Sequence, residues 1–298
     1  MVFHRREFTA LVAATSLAAI AAPASGAPPI AYAKEAGAGF DLYLANPNGS
    51  GAVKLYSTPA KNSIGVLDMN PAANEVAIVE SRATGFKIIG YNSAGVRTSI
   101  TPFDDGCYVN NLDFHPSDGS LIVIRRCTNP QTVEVRRWAN GAFGPAFVST
   151  NGLLDAYSQV RWLGDGTGFL VGYFNAGSGS SIQRRNLSNP NTPTIIWSTS
   201  AIVPPPSFDV ARCQGGPLAN CSKLLYVDQA EGLHELSFTD FGGGSDTLLF
   251  TGYNGRYSPD NQRILYRTRV KGGFMLNVTN PAGTVGSKGT YIGMDWRP

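Results

Sequence analysis

The feature of this sequence that most limits its fold is a repeat with a period of about 45 residues. One unit begins with an apolar and aromatic stub, turns at a Pro or Gly, and continues as an apolar strand. Clear copies are Leu67-Asp68-Met69-Asn70-Pro71 before Val76 to Val79, Leu112-Asp113-Phe114-His115-Pro116 before Leu121 to Ile124, and Val160-Arg161-Trp162-Leu163-Gly164 before Phe169 to Val171. A degraded copy, Phe208-Asp209-Val210, reaches Leu224 to Val227 after an insertion holding Cys213 and Cys221. A fifth is Arg256-Tyr257-Ser258-Pro259-Asp260 before Ile264 to Tyr266, and a last stub is Met294-Asp295-Trp296-Arg297-Pro298. The turns fall at 71, 116, 164, 259 and 298, so the intervals are 45, 48, 95 and 39, the long one holding two repeats.

After each stub and strand comes a segment that alternates apolar and polar residues, as in Phe86 to Tyr91, Val133 to Trp138, Ile182 to Leu187, Leu233 to Phe238 and Phe274 to Val278. Period-two alternation marks strands with one face buried. Turns such as Asn92-Ser93-Ala94-Gly95 and Ala139-Asn140-Gly141 then lead to a short fourth strand. Four strands per unit of 40–50 residues is the pattern of a propeller blade. Residues 28–33, 40–45 and 53–56 read as the second, third and fourth strands of a unit that lacks its first, while the stub at 292–298 is a first strand with nothing after it. Joined, they complete one blade and leave no free sheet edge at the seam. The expected fold is all-β: a six-bladed β-propeller, with N- and C-terminal strands completing one blade.

Residues 1–26 read as a signal peptide, with 27–298 as the propeller domain. Arg5 and Arg6 precede an apolar run from Phe8 to Ala22, too short to span a bilayer, and small residues follow. The residues Arg5-Arg6-Glu7-Phe8 resemble a twin-arginine export signal. Beyond residue 26 no apolar stretch approaches 18 residues, so no transmembrane segment is expected and the location is periplasmic or secreted. The four Cys then suit an oxidising compartment as disulfides. Of three possible connectivities, one joins Cys213 to Cys221 across a short loop and leaves Cys107 to pair with Cys127 across one repeat.

Without residues 1–26 the chain holds 22 basic and 20 acidic residues, a balance of +2, and no Lys/Arg run, so nucleic acid is an unsuitable partner. His115 and His234 are the two remaining His, and neither has metal-ligand spacing. No metal or cofactor is expected. His115 sits in a blade turn and His234 in an alternating strand. Asp240 and Asp246 flank Gly242-Gly243-Gly244, which reads as a flexible rim loop.

The run Tyr257-Ser258-Pro259-Asp260-Asn261-Gln262-Arg263-Ile264-Leu265-Tyr266 resembles the blade motif W-S-P-D-G-x-x-I-x-F of TolB-like propellers. Phe114-His115-Pro116-Ser117-Asp118-Gly119, Tyr43-Leu44-Ala45-Asn46-Pro47-Asn48-Gly49 and Asp295-Trp296-Arg297-Pro298 are further matches, so the likeness spans nearly all of residues 27–298. It implies the fold and says little of function. The α/β domain that precedes the propeller in TolB itself has no counterpart here, and no G-x-S-x-G elbow occurs.

In a propeller, the loops entering the innermost strands surround one mouth of the central channel. Here they supply a polar and aromatic set: Asp104, Asp105, Asn110, Asn111, Tyr157, Gln159, Arg256 and Tyr291. Such residues suit a binding surface. The expected function is a monomeric binding or scaffold protein whose partner is an envelope protein, peptide or glycan. The alternative is a propeller enzyme, a lyase or hydrolase acting on carbohydrate or ester through channel carboxylates.

Overall fold

The computed structural model describes residues 30–59, 63–71, 75–82, 85–99, 106–152, 155–212, 222–239 and 241–296. Residues 1–26, expected to be a signal peptide, and Asp104, Asp105, Cys213, Cys221 and Asp240 lie outside them. The described residues form β-strands and turns, with no helix long and apolar enough to cross a membrane.

Twenty-four strands make six four-stranded antiparallel sheets arranged as the blades of a propeller. The second blade is β4 (Ser63–Asn70), β5 (Glu75–Arg82), β6 (Gly85–Asn92) and β7 (Arg97–Ser99), from the channel outward. The third is β8 (Cys107–Phe114) to β11 (Ala142–Thr150), and the fourth β12 (Asp155–Trp162) to β15 (Asn189–Thr199). The fifth runs from β16 (Phe208–Val210), through β17 (Lys223–Val227) and β18 (Gly232–Thr239), to β19 (Gly242–Thr251). The sixth is β20 (Tyr253–Tyr257), β21 (Ile264–Val270), β22 (Gly273–Val278) and β23 (Gly283–Gly289). The first blade joins the two ends of the chain. Its β1 (Ile30–Ala36), β2 (Gly39–Ala45) and β3 (Val53–Ser57) receive β24 (Tyr291–Trp296) on the channel side, with Ile30 opposite Trp296 and Tyr32 opposite Met294.

Apolar side chains fill the gaps between sheets, one cluster to each pair of neighbouring blades. Ile78 and Ile89 of the second blade meet Ala31 and Leu42 of the first, and Phe169 and Val171 of the fourth meet Ile122 and Ile124 of the third. At the seam, Trp296, fully buried, packs with Ile30 on one side and Leu265 and Leu276 on the other. The ring is therefore closed by the same packing that joins every other pair.

The recurrent turn after the innermost strand needs a residue in the left-handed region, filled by Gly119, Gly166 and Asn261 in three repeats. Around Asn261 the Ser258 hydroxyl accepts the Arg263 N–H at 2.9 Å, while Asp260 accepts the Gln262 N–H at 3.0 Å. One sequence expectation fails outside the core. Gly242-Gly243-Gly244 is not a flexible loop but opens the outermost strand β19. A Cβ on Gly243 would lie 2.3 Å from the Ile196 carbonyl oxygen of the fourth blade, so its glycine permits close approach of two backbones.

Candidate functional site

One position recurs with a charged side chain on every innermost strand, just before the residue whose N–H faces the preceding blade: Asp68, Asp113, Arg161, Asp209, Arg256 and Asp295. Four of these are carboxylates, and each reaches to the next blade. Asp295 accepts the Met69 N–H at 2.9 Å, Asp68 the Phe114 N–H at 2.7 Å, Asp113 the Trp162 N–H at 2.6 Å and Asp209 the Tyr257 N–H at 2.9 Å. An innermost strand has no sheet partner on its channel side, so this side-chain acceptor satisfies an N–H that the ladder leaves open. Two residues earlier on two of these strands, Asn111 accepts the Val160 N–H at 3.1 Å, and Gln159 accepts the Phe208 N–H at 3.2 Å and donates to the Phe208 carbonyl.

Converging carboxylates repel one another, and three guanidinium groups offset this. Arg161 donates to Leu112 O at 2.9 Å and lies 3.5 Å from Asp113 and 3.4 Å from Asp209. Arg256 donates to Asp209 at 3.0 Å, and Arg212 lies 3.7 Å from Asp295. Even so, burial pushes the Asp113 carboxyl up to about 6 and that of Asp209 up to about 7, with Arg161 opposing and Asp295 adding to both shifts. Asp68 is raised as well, by burial and then by the charges of Asp113 and Asp295. Burial works against the charge of Arg161, but Asp113, Asp68 and Asp209 outweigh it and its pKa rises. These acids line a narrow cavity of about 40 Å³ toward the exit ends of the innermost strands.

Toward the entry ends the channel widens to a cavity of about 130 Å³. Asn111, Gln159, Ser207, Asn254, Arg256 and Arg267 supply its polar side chains, and Gly65 to Leu67 and Ile292 to Met294 complete its wall. Among the described residues that line it there is no carboxylate.

Three of the residues expected at the mouth, Asn111, Gln159 and Arg256, thus come together in this cavity. Asn110 is exposed on β8 and does not line it. Tyr157 and Tyr291 do not reach the channel. Tyr157 is buried against Tyr173, and Tyr291 meets Tyr32 edge-on at 5.7 Å. The reason is a bulge. In β12 the register skips a residue, so Tyr157 is opposite Tyr173 and Gln159 is opposite Gly172. These two pairs are adjacent, so Tyr157 and Gln159 point to opposite faces, not to the same one as an unbroken alternation requires. The same shift in β24 separates Tyr291 from Gly293. Sequence reasoning also passed over Arg267, which lies on the second strand of its blade and gave no signal there. Each of the six stubs carries this charged residue in the sequence, although the fifth stub begins with it.

Cys107 and Cys127 form a disulfide between β8 and β9 (Leu121–Thr128). His115 is a turn residue. Its N–H donates to Ser120 O at 2.7 Å and its ring meets Trp162 edge-on at 4.7 Å. His234 lies on the outer part of the fifth blade between Asp228, at 3.2 Å, and Asp246, at 3.0 Å. No group of three or more His, Cys, Asp or Glu among the described residues is arranged to hold a metal ion.

A ring of six four-stranded blades, sealed by the C-terminal strand and pierced by a charged channel, defines a six-bladed β-propeller. Its likeness is to TolB propellers. TolB from Acinetobacter baumannii superposes with a TM-score of 0.70 at 19% identity, over 91% of this chain and 67% of that one. A putative TolB from Agrobacterium tumefaciens gives 0.62 at 11% identity, over 92% and 100%. A chain of a nidogen/laminin complex gives 0.64 at 11% identity, over 91% and 98%. At these identities the likeness is one of fold. No family profile matches the chain. No curated protein matches it in sequence.

Proposed function

We propose that this chain is an exported binding or scaffold propeller that engages an envelope protein, peptide or glycan through the entry mouth of its channel. The observation that carries this reading is how the channel divides its polar groups. Its carboxylates are committed to backbone N–H groups and guanidinium groups between blades, in a cavity of about 40 Å³. Such acids hold the ring together and are poorly placed to protonate or deprotonate a substrate. The wider entry cavity offers amides, a hydroxyl and guanidinium groups, which suit recognition over acid–base chemistry. The enzyme reading is therefore not favoured.

Export rests on the signal-like segment 1–26, and the Cys107–Cys127 disulfide supports an oxidising compartment. Sequencing the N-terminus of secreted protein should find it between about residues 23 and 28; material starting at Met1 would refute cleavage. The binding role is tested by capture from envelope extract with cross-linking and mass spectrometry. Asn111→Arg, which crowds the mouth, should lose partners that Leu248→Ser, on the exposed outer strand, retains. Equal capture by both would place the binding surface elsewhere.

A further inference from the structure

The entry cavity is electrically unlike the exit end of the same channel. The exit end holds Asp68, Asp113, Asp209 and Asp295 with Arg161 and Arg212. The entry cavity holds two guanidinium groups and no acid. One of them, Arg256, is already paired with Asp209 at 3.0 Å. Arg267 is different. It forms no ion pair among the described residues, and its Nε is buried without a hydrogen-bond partner. One Nη donates to the Tyr291 carbonyl, and the guanidinium plane lies 5.0 Å over the Phe274 ring. Burial lowers its pKa, opposed by a nearby Tyr253 hydroxyl and by no carboxylate. A desolvated cation without a counter-charge is costly, and an anion in the cavity would relieve that cost.

The neighbouring amides face the same way. The Asn111 side-chain oxygen accepts the Val160 N–H at 3.1 Å. A backbone N–H can only donate, so the Asn111 oxygen is fixed in that bond and its NH₂ remains as a donor. The Asn254 side-chain oxygen accepts the Ser207 hydroxyl at 3.0 Å, which leaves its NH₂ as a donor as well. The size of the cavity, about 130 Å³, suits one small acidic group and its first carbons more than a sugar ring. A guanidinium fork matches the two oxygens of a carboxylate in shape as well as charge.

We propose that the entry mouth is a carboxylate-binding site in which Arg267, with the Asn111 amide, receives an acidic group of the ligand. That group is either a peptide C-terminus or an Asp or Glu side chain. The inference rests on the entry mouth being the binding end, and its test is independent of any envelope partner. Sodium propionate should bind the full-length exported protein saturably and raise its thermal midpoint, with propionamide and sodium chloride at equal concentration as controls. Arg267→Gln should weaken propionate at least tenfold, while Arg267→Lys should recover part of the loss. Arg269→Gln, removing an exposed guanidinium paired with Glu231 at 3.1 Å, should bind as the parent does. A hexapeptide with a free C-terminus and no acidic side chain, compared with an amidated one carrying a single Glu, separates the two sources. No saturable effect of propionate, an equal effect of propionamide, or unchanged binding by Arg267→Gln would each overturn the proposal. Envelope capture that survives Arg267→Gln but fails with Asn111→Arg would also overturn it, and would leave the mouth as the binding end.

Discussion

Replacing Trp296 by Ala tests the closure of the ring. The side chain is fully buried at the seam, among Ile30 of the first blade and Leu265, Leu276 and Val278 of the sixth. Its indole N–H donates to Arg256 O at 3.2 Å, and the Arg263 guanidinium lies 4.9 Å from the ring. Truncating a buried Trp costs about 3–5 kcal/mol. The stranded Arg256 carbonyl and the lost cation–π contact each add on the order of 1 kcal/mol. A domain is stable by only about 5–15 kcal/mol, so the variant forfeits roughly a third or more of that. At about 2–4 °C per kcal/mol, the melting temperature should fall by about 10 °C or more, read by circular dichroism or calorimetry. Leu248→Ala is the control. Leu248 is 60% exposed on β19, and its truncation should change stability by no more than about 0.5 kcal/mol. Deleting residues 291–298 should be worse than Trp296→Ala, because it also strips β1 of its channel-side partner. A Trp296→Ala protein that melts within about 2 °C of the parent would refute the seam as a contributor to stability.

The remaining predictions concern the channel and the disulfide. The raised pKa values of Asp113 and Asp209 mean that the folded state holds protons the unfolded chain has lost between about pH 4 and pH 7. Stability from these groups therefore falls as pH rises through that window, by at most about 1.4 kcal/mol per pH unit for each. Melting scans should show this slope, and Asp209→Asn should flatten it; a steeper slope in the variant would refute the assignment. Asp113→Ala should cost about 1–3 kcal/mol by stranding the Trp162 N–H, whereas Asp113→Asn keeps an acceptor and should cost less in urea titrations. The bond between Cys107 and Cys127 closes a separation of 20 residues, so the double Ser variant should lose about 3 kcal/mol, and a variant as stable as the oxidised parent would refute it.

The blade count could be read from the sequence because every blade meets the same demand. An inner strand must end in a tight turn and return as an apolar strand, and Pro71, Pro116, Gly164 and Pro259 mark that turn. Closure was legible because residues 30–57 lacked an inner strand and residues 291–296 lacked a following one. The composition of the mouth was legible only in part. Tyr157 and Gln159 were both expected in a loop entering an innermost strand, but both lie in β12, where the bulge sets them on opposite faces. Bulges leave little mark in sequence, since any residue can occupy them. Arg267 escaped for a different cause, since a second strand is not expected to reach the channel.

The six stub positions show how one sequence rule serves two physical ends. Asp at this position closes a backbone hydrogen bond to the next blade, and four repeats use it so. Six such acids in one channel would repel without compensation. Arg161 and Arg256 replace two of them, and both lie within 3.4 Å of Asp209, the carboxylate between them in the ring. Each substitution removes one acid and adds one cation, so two are enough to bring the ring from six negative charges to two, before Arg212 is counted. Arg161 cannot accept an N–H, and the bond from Gln159 to the Phe208 N–H is not its substitute, since Asn111 makes the same bond to Val160 in a blade that keeps Asp113. The structural charges thus answer one another at the exit end, which leaves Arg267 at the entry end as the channel guanidinium that no described carboxylate balances.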